Sequence, residues 1–91
     1  MEYRACHILV KDRSLAERLL KQAKSGARFE TLAKDFSTCP SKSTGGDLGW
    51  FGPGKMVPEF ERACAKLSPG RLSGIVRTQF GYHLIKLTGR R

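Results

Sequence analysis

Short apolar runs near both ends of the chain predict β-strands there. Residues 3–11 and residues 82–88 each contain a histidine followed by a β-branched-rich apolar stretch. Runs of this length, bounded by polar residues and turn formers, are typical of strands. A further strand is expected at 72–78, and it would be joined to the last one by a tight turn at 79–81.

Between these strands, apolar residues recur at three- and four-residue intervals and predict three helices. The first is expected to begin with a capping box in which Ser14 is the N-cap and Glu17 the third helical residue, and Gly26 fits the position just after its end. The second is expected at 29–36, and the third near Pro58, because proline suits the first helical position. The apolar stripes of the three helices are Leu15, Ala16, Leu19, Leu20 and Ala23; Phe29, Leu32, Ala33 and Phe36; and Phe60, Ala63, Cys64 and Leu67.

The remaining segments are turns and one short strand. Residues 37–46 are polar and end in two glycines, which interrupts regular structure, whereas a short strand is expected at 47–51 before a Gly-Pro-Gly turn at 52–54. The order is β-α-α-β-α-β-β, without a repeat or a linker. It predicts one α+β domain with a small, mostly antiparallel sheet flanked by helices.

Size and composition limit the class of protein. A chain of 91 residues with 40% apolar residues can bury one modest core. No apolar run approaches the roughly 18 residues of a membrane span, and no pattern typical of a signal peptide opens the chain. Because the chain starts with Met1, a complete small cytoplasmic protein is expected. We also expect it to be a monomer. A domain cut from a longer protein also fits the sequence.

The charge balance is strongly basic. The net charge is +9, from 17 Lys and Arg against 8 Asp and Glu, and the basic residues are scattered along the chain with the densest spread at 18–28. Such a balance attracts polyanions. We expect a solvated basic surface with weak, non-specific binding to nucleic acid or other polyanions, and a dedicated nucleic-acid site is the alternative.

The three cysteines do not favour a disulfide framework or a structural zinc site, because their number is odd and no C-x-x-C pair exists. Cys6 and Cys64 are predicted to be buried small hydrophobes. Cys39 lies in the polar stretch at 37–46, whereas Cys6 and Cys64 lie in an expected strand and an expected helix. The glycines at 45–49 match neither the dinucleotide nor the P-loop spacing, so Gly45 and Gly46 are expected to serve a turn that needs positive φ.

A group of apolar residues lies outside the helical stripes. Leu48, Met56 and Phe80 occupy a short strand or loops, and Phe60 can join them although it also fits the stripe of its own helix. Apolar loop residues that are not part of the core often line a pocket. The alternative is that they cap the core from its edges, and composition alone does not separate the two interpretations.

Four separate blocks of the sequence resemble the parvulin family of peptidyl-prolyl cis/trans isomerases. In order, they are HILVK, FSTCPSKSTGGDLGWFGPGKM, PEFERA and TQFGYHLIKL, and the resemblance covers about residues 5–88. It implies a single parvulin-like domain at 1–91, with a four-stranded antiparallel sheet surrounded by helices. It also implies an enzyme that accelerates X-Pro rotation in proline-containing peptides and unfolded proteins, as a folding helper.

The resemblance also assigns site residues. The catalytic residues would be His7, Cys39, Thr78 and His83. The substrate-binding residues would be Leu48, Met56, Phe60, Gln79 and Phe80. Phe80 would close one side of a proline pocket, and Gln79 would contact the substrate backbone. The two histidines are expected to be buried, neutral and hydrogen-bonded to each other, with Thr78 bonded to one ring. The alternative is two unrelated core histidines, each satisfied separately.

One departure from the family concerns phosphate recognition. The phosphate-directed branch has a long basic loop after its first strand, whereas here only Lys11-Asp12-Arg13 connects the first strand to the first helix. The chain therefore resembles the compact, phosphate-independent branch. Lys11 still places a basic residue at the mouth of the expected pocket, which leaves open a preference for acidic side chains before proline.

The implied reaction breaks no bond. Rotation about X-Pro must cross a barrier of ~18–20 kcal/mol that arises from amide resonance, so no metal, cofactor or nucleophile is expected. A covalent role for Cys39 is the alternative to a role in shaping local polarity. A competing hypothesis for the whole chain is a basic module that binds nucleic acid or unfolded chains without turnover.

Overall fold

The computed structural model describes residues 1–91, and the observed element order agrees with the predicted one. The elements are β1 (Tyr3–Val10), α1 (Arg13–Lys24), α2 (Phe29–Phe36), a 3-10 helix (Pro40–Thr44), β2 (Asp47–Phe51), α3 (Pro58–Ala65), β3 (Val76–Thr78) and β4 (Gly81–Arg90). The 3-10 helix lies in a stretch that was expected to be irregular. No helix among these combines the length and the apolar character that a membrane crossing needs.

The four strands form one antiparallel sheet in the order β2-β1-β4-β3, which confirms the predicted sheet. The first and last strands of the chain are therefore central neighbours. In their register, His7 lies opposite Ile85 and Leu9 lies opposite His83. Because alternate residues of a strand point to the same face, His7 and His83 are diagonal neighbours on one face.

Helices cover both faces of the sheet. One face packs against α1 and α2 in a buried cluster formed by Cys6, Ile8, Val10, Ala16, Leu19, Phe29, Leu32, Ala33 and Leu84. The other packs against α3 in a cluster formed by Tyr3, Ala5, Phe51, Phe60, Cys64, Ile85 and Leu87. Cys6 and Cys64 are buried in these two clusters, as predicted. The two histidines lie on the α3 side.

The two ends of the chain are paired beyond the sheet. The backbone N–H of Arg91 donates to the carbonyl of Glu2 at 2.9 Å, and the Glu2 N–H donates back to the Arg91 carbonyl. The Arg91 Nε also lies 2.8 Å from the Glu2 carboxylate. The second and the last residues are thus held side by side at one end of the two central strands.

The turn before β2 brings the backbone close to the first histidine. Gly45 and Gly46 have φ values of 69° and 87°, so their predicted positive φ is confirmed. The His7 N–H donates to the Gly46 carbonyl at 3.0 Å. A Cβ at position 46 would collide with the His7 carbonyl oxygen. Glycine at 46 therefore allows this turn to fix the backbone of His7.

The predicted capping box of the first helix is wrong. Asp12 is the N-cap, and its Oδ1 accepts a hydrogen bond from the Ser14 N–H at 3.0 Å. Asp12 and Ser14 both favour the N-cap position, and the carboxylate two residues earlier takes it, so the helix begins at Arg13. Glu17 does not reach back to a cap and lies 3.9 Å from Arg13 on the helix surface.

The strand predicted at 72–78 is only partly formed. Leu72 makes an isolated bridge to Lys86, and regular pairing begins at Val76. The cause is Ser73, whose hydroxyl accepts the Ile85 N–H at 3.1 Å and so replaces a backbone carbonyl in the ladder. Other boundaries differ less: β4 runs from 81 to 90 instead of 82 to 88, Leu67 lies beyond the end of α3, and Phe36 is exposed.

Candidate active site

Two histidines form the centre of the candidate site. The Nδ1 atoms of His7 and His83 lie 3.1 Å apart, and the rings are stacked with their centroids 5.3 Å apart. Both residues are buried, with exposed fractions of 5% and 4%. The expected contact between the rings is present, and it follows from their diagonal positions on the two central strands.

Phe60 of α3 packs edge-on against both rings. Its centroid lies 5.6 Å from that of His7 and 5.5 Å from that of His83, with interplanar angles of 78° and 80°. The residue is only 2% exposed. Edge-to-face contacts of this kind favour a defined ring geometry. Phe60 therefore helps to fix the orientation of both histidine rings, and it also lines the cavity described next.

Thr78 extends the hydrogen-bonded chain at its other end. Its Oγ1 lies 2.7 Å from His83 Nε2 and accepts the Phe80 N–H at 3.1 Å. A neutral imidazole carries one N–H. If the Thr78 hydroxyl donates to His83 Nε2, then His83 Nδ1–H must donate to His7 Nδ1. If His83 Nε2–H donates to Thr78 instead, then His7 Nδ1–H must donate to His83 Nδ1. The protons on Thr78 and the two rings are thus arranged together. His7 Nε2, at the end of this chain, is buried and has no hydrogen-bond partner.

The electrostatic setting keeps both rings neutral at pH 7. Burial, and to a smaller extent charge repulsion from His83, lowers the pKa of His7 to about 4. Burial also lowers the pKa of His83 to about 4, against the opposing effect of the Glu59 carboxylate. A general acid or base works best with a pKa near the working pH. The pair is therefore better suited to orienting its surroundings than to transferring protons.

A cavity of about 590 Å³ opens beside the histidines. Its lining residues are His7, Leu9, Lys11, Thr38, Cys39, Pro40, Leu48, Lys55, Met56, Val57, Phe60, Phe80 and His83. Seven of the nine predicted site residues are among them. Leu48, Met56 and Phe80 therefore line a pocket and do not merely cap the core. The lining contains two lysines and no carboxylate, so the cavity is apolar with a positively charged rim.

Cys39 lies at the edge of this cavity and is held there through its neighbours. The Leu9 N–H donates to Ser37 Oγ at 3.0 Å, and the Thr38 N–H donates to the Leu9 carbonyl at 2.8 Å. The Cys39 N–H in turn lies 3.3 Å from Ser37 Oγ. An adjacent base is the usual way to activate a nucleophile, and the partners of the two histidine rings are each other and Thr78 instead of the Cys39 thiol. This geometry favours a non-covalent role for Cys39.

The structure does not bring every predicted residue to the cavity. Thr78 contacts it only through His83 and Phe80, and Gln79 is exposed in the turn and does not line the cavity. The assigned contact between Gln79 and a substrate backbone stays a prediction.

Several lining residues were not assigned from the sequence. Leu9 could have been found, because it lies two residues after His7 on the same strand face. Thr38 and Pro40 flank Cys39, and Lys55 and Val57 flank Met56, but their place in the lining depends on loop conformation. Residue spacing alone does not determine that conformation.

The sequence is similar to known proteins over almost its whole length. A family model described as "Rotamase: PPIC-type PPIASE domain" matches residues 7–89. The chain is similar to the foldase protein PrsA of Geobacillus kaustophilus, with 53% identity over 88 residues that cover 96% of this chain. Those residues cover 31% of the relative, so the chain spans less than a third of its length.

Solved structures show the same architecture. The crystal structure of the peptidylprolyl isomerase PrsA from Bacillus anthracis superposes with a TM-score of 0.97 at 49% identity, over 99% of this chain and 42% of that one. The solution structure of NmPin, the parvuline of Nitrosopumilus maritimus, gives a TM-score of 0.86 at 40% identity, over 97% and 96% of the two chains. The second match covers nearly all of both chains.

Proposed function

The chain belongs to the parvulin family of peptidyl-prolyl cis/trans isomerases, and on that basis we propose that it accelerates X-Pro rotation in extended protein segments without requiring phosphate. The observation that carries the proposal is the apolar cavity that ends at the histidine pair. A proline ring would bind against Leu48, Met56 and Phe60. The preceding carbonyl would then rotate near Cys39 and the histidines.

The physical basis is preferential binding of the twisted amide. The planar X-Pro bond is held by resonance, and a millionfold acceleration requires about 8 kcal/mol of stabilisation that is specific to the transition state. A twisted amide has lost part of its charge separation, so an apolar cavity suits it better than water does. The cavity would also hold the proline ring in place while the preceding carbonyl rotates. This would further favour the twisted amide over the planar forms.

The connection between β1 and α1 supports phosphate independence. Only Lys11 and Asp12 lie between Val10 and Arg13. Asp12 is engaged as the cap of α1, and the Lys11 ammonium donates to the Phe80 carbonyl at 2.8 Å. A dianion is usually bound by several converging cations, and this connection supplies no such cluster. The proposed substrates are therefore ordinary X-Pro segments.

Unfolded or partly folded proteins are the proposed clients. The support is the cavity, which opens to solvent, and the similarity to proteins named foldase. The test is twofold: NMR exchange spectroscopy on Ala-Leu-Pro-Phe, and the refolding rate of a protein limited by a slow X-Pro step. Acceleration of both is expected. Binding without acceleration in either assay would favour a non-catalytic binding module.

The proposal extends to the state of the protein. We propose that the protein is cytoplasmic, which is consistent with its three free cysteines, two of them buried. We also propose that it is a monomer, which is consistent with the small number of large apolar residues on its surface. The net charge of +9 supports weak binding to polyanions that falls steeply with salt. Light scattering, cell fractionation and a DNA titration at two salt concentrations test these three points.

A further inference from the structure

Phe80 occupies an unusual position for a cavity wall. It lies in the two-residue turn between Thr78 and Gly81, which face each other at the ends of β3 and β4. The residue is 49% exposed although it lines the cavity. Core packing therefore does not hold it on all sides. The position of the ring depends on how firmly the backbone of the turn is held.

Both backbone polar groups of Phe80 have partners. Its N–H donates to Thr78 Oγ1 at 3.1 Å, within the turn itself. Its carbonyl accepts a hydrogen bond from Lys11 Nζ at 2.8 Å, across a separation of 69 residues. The second contact is charge-assisted, and such bonds are stronger than neutral ones. The Lys11–Phe80 hydrogen bond thus links the end of β1 to this turn, and it is called the Lys11 tie below.

Glycine at position 81 makes this tie feasible. Its φ is 139°, and a Cβ there would lie 2.6 Å from the Val10 carbonyl oxygen. The end of β1 can therefore lie directly against the turn, with Val10 paired to Tyr82. The next residue along the chain is Lys11, whose side chain then reaches the Phe80 carbonyl.

We propose that Lys11 is a positioning residue for the isomerase site, because its ammonium holds the turn so that Phe80 forms a fixed wall of the proline cavity. The catalytic half of this proposal rests on the proposed function. The structural half concerns the order of the turn and stands independently. The competing explanation is that Lys11 acts only through its charge at the rim of the cavity.

Lys55 provides a matched comparison for the charge effect. It lines the same cavity and carries the same charge. Its ammonium is not a member of any ion pair, and it does not donate to the Phe80 carbonyl, which Lys11 occupies. Lys11→Met removes the donor and the charge, Lys11→Arg keeps both, and Lys55→Met removes a charge alone. Phe80→Ala removes the side chain through which Lys11 is proposed to act.

The activity test is a double-mutant cycle on Ala-Leu-Pro-Phe. We expect Lys11→Met to lower kcat/KM about three- to tenfold, mainly through KM, and Lys11→Arg to restore it to within about twofold. In the Phe80→Ala background, Lys11→Met should have little further effect, whereas Lys55→Met should act equally in both backgrounds. Additive effects of Lys11→Met and Phe80→Ala would overturn the proposal.

A second measurement does not depend on activity. The backbone order parameter of the Phe80 amide, from ¹⁵N relaxation, should be near 0.85 in the wild type and fall below about 0.6 in Lys11→Met. Lys11→Arg should restore it, and Lys55→Met should leave it at the wild-type value. Equal order in the wild type and Lys11→Met would overturn the positioning role. An inactive wild type with the expected loss of order would instead contradict the proposed function alone.

Discussion

His7 Nδ1 lies 3.1 Å from His83 Nδ1, although 76 residues separate the two in sequence. The contact exists because the first and last strands are the central pair of the sheet. At this distance one ring must donate and the other accept, so the two cannot both carry a proton on Nδ1. The contact therefore requires at least one neutral ring, and protonating both rings would break it.

Neither ring should titrate near neutral pH. Because burial lowers the pKa of both histidines to about 4, their NMR ring signals should stay constant between pH 6 and pH 8. The measurement is a ¹H–¹⁵N titration of the imidazoles that also assigns the tautomers. Either ring titrating near its ordinary pKa of ~6.5 would contradict the neutral pair.

Acid should destabilise the fold in a defined window. The folded-state pKa of each ring, about 4, lies below the unfolded value of 6.5, so the unfolded chain binds more protons between these values. The free energy of unfolding should therefore fall as pH drops from 6.5 towards 4, by up to about 1.4 kcal/mol per pH unit for each ring. Urea unfolding at several pH values measures the slope. His7→Leu has one ring fewer and should show a shallower slope, and an equal slope in both proteins would exclude the rings as its source.

Phe60 should be needed for activity beyond its effect on stability. Phe60→Ala removes a cavity wall and the support of both histidines, so kcat/KM should fall by at least about tenfold. Because Phe60 is buried, Phe60→Ala should also lower the free energy of unfolding by roughly 3–5 kcal/mol. Phe60→Leu therefore serves as a milder second variant. The control is Phe51→Leu, which alters the same buried cluster outside the cavity lining. Similar activity losses in Phe60→Leu and Phe51→Leu would contradict a specific role.

Phosphate before proline should give little advantage. The short connection between β1 and α1 contains one cation, Lys11, and its ammonium already donates to a carbonyl. A phosphoserine-proline peptide should therefore be processed within about threefold of its alanine-proline counterpart, a difference of ~0.7 kcal/mol. A glutamate-proline peptide at low and high salt serves as the control for simple charge attraction. A preference of about a hundredfold for the phosphopeptide would show that the phosphate-independent assignment is wrong.

The helices and the order of the elements along the chain could be predicted from the sequence because their signals are local. Apolar spacing gave the second helix its observed bounds, 29–36. The errors occur where two local interactions compete. Asp12 and Ser14 can both cap a helix, and spacing does not say which does so. Ser73 lies in a strand-like run, yet its hydroxyl takes over a ladder position.

The residues of the site could be predicted only with the help of the family resemblance, and one of its contacts could not be predicted at all. The pairing of His7 with His83 and the pocket residues came from family motifs, because periodicity alone left two interpretations of the pocket open. The tie between Lys11 and the Phe80 carbonyl was not predicted. It depends on the close approach of β1 to the turn at Gly81, which only the folded backbone defines. Contacts between a side chain and a distant backbone carbonyl leave no spacing pattern in a sequence.

The pairing of Glu2 with Arg91 has a mechanical consequence. Both ends of the chain leave from the same end of the two central strands, and the hydrogen bonds between antiparallel strands run across the strand direction. A force that pulls the ends apart would load these bonds one after another, as in a zipper, instead of shearing them together. The Tyr3–Arg90 and Ala5–Leu87 pairs would separate before the strands part at the histidines, so tension on the ends would reach the histidine pair through β1 and β4.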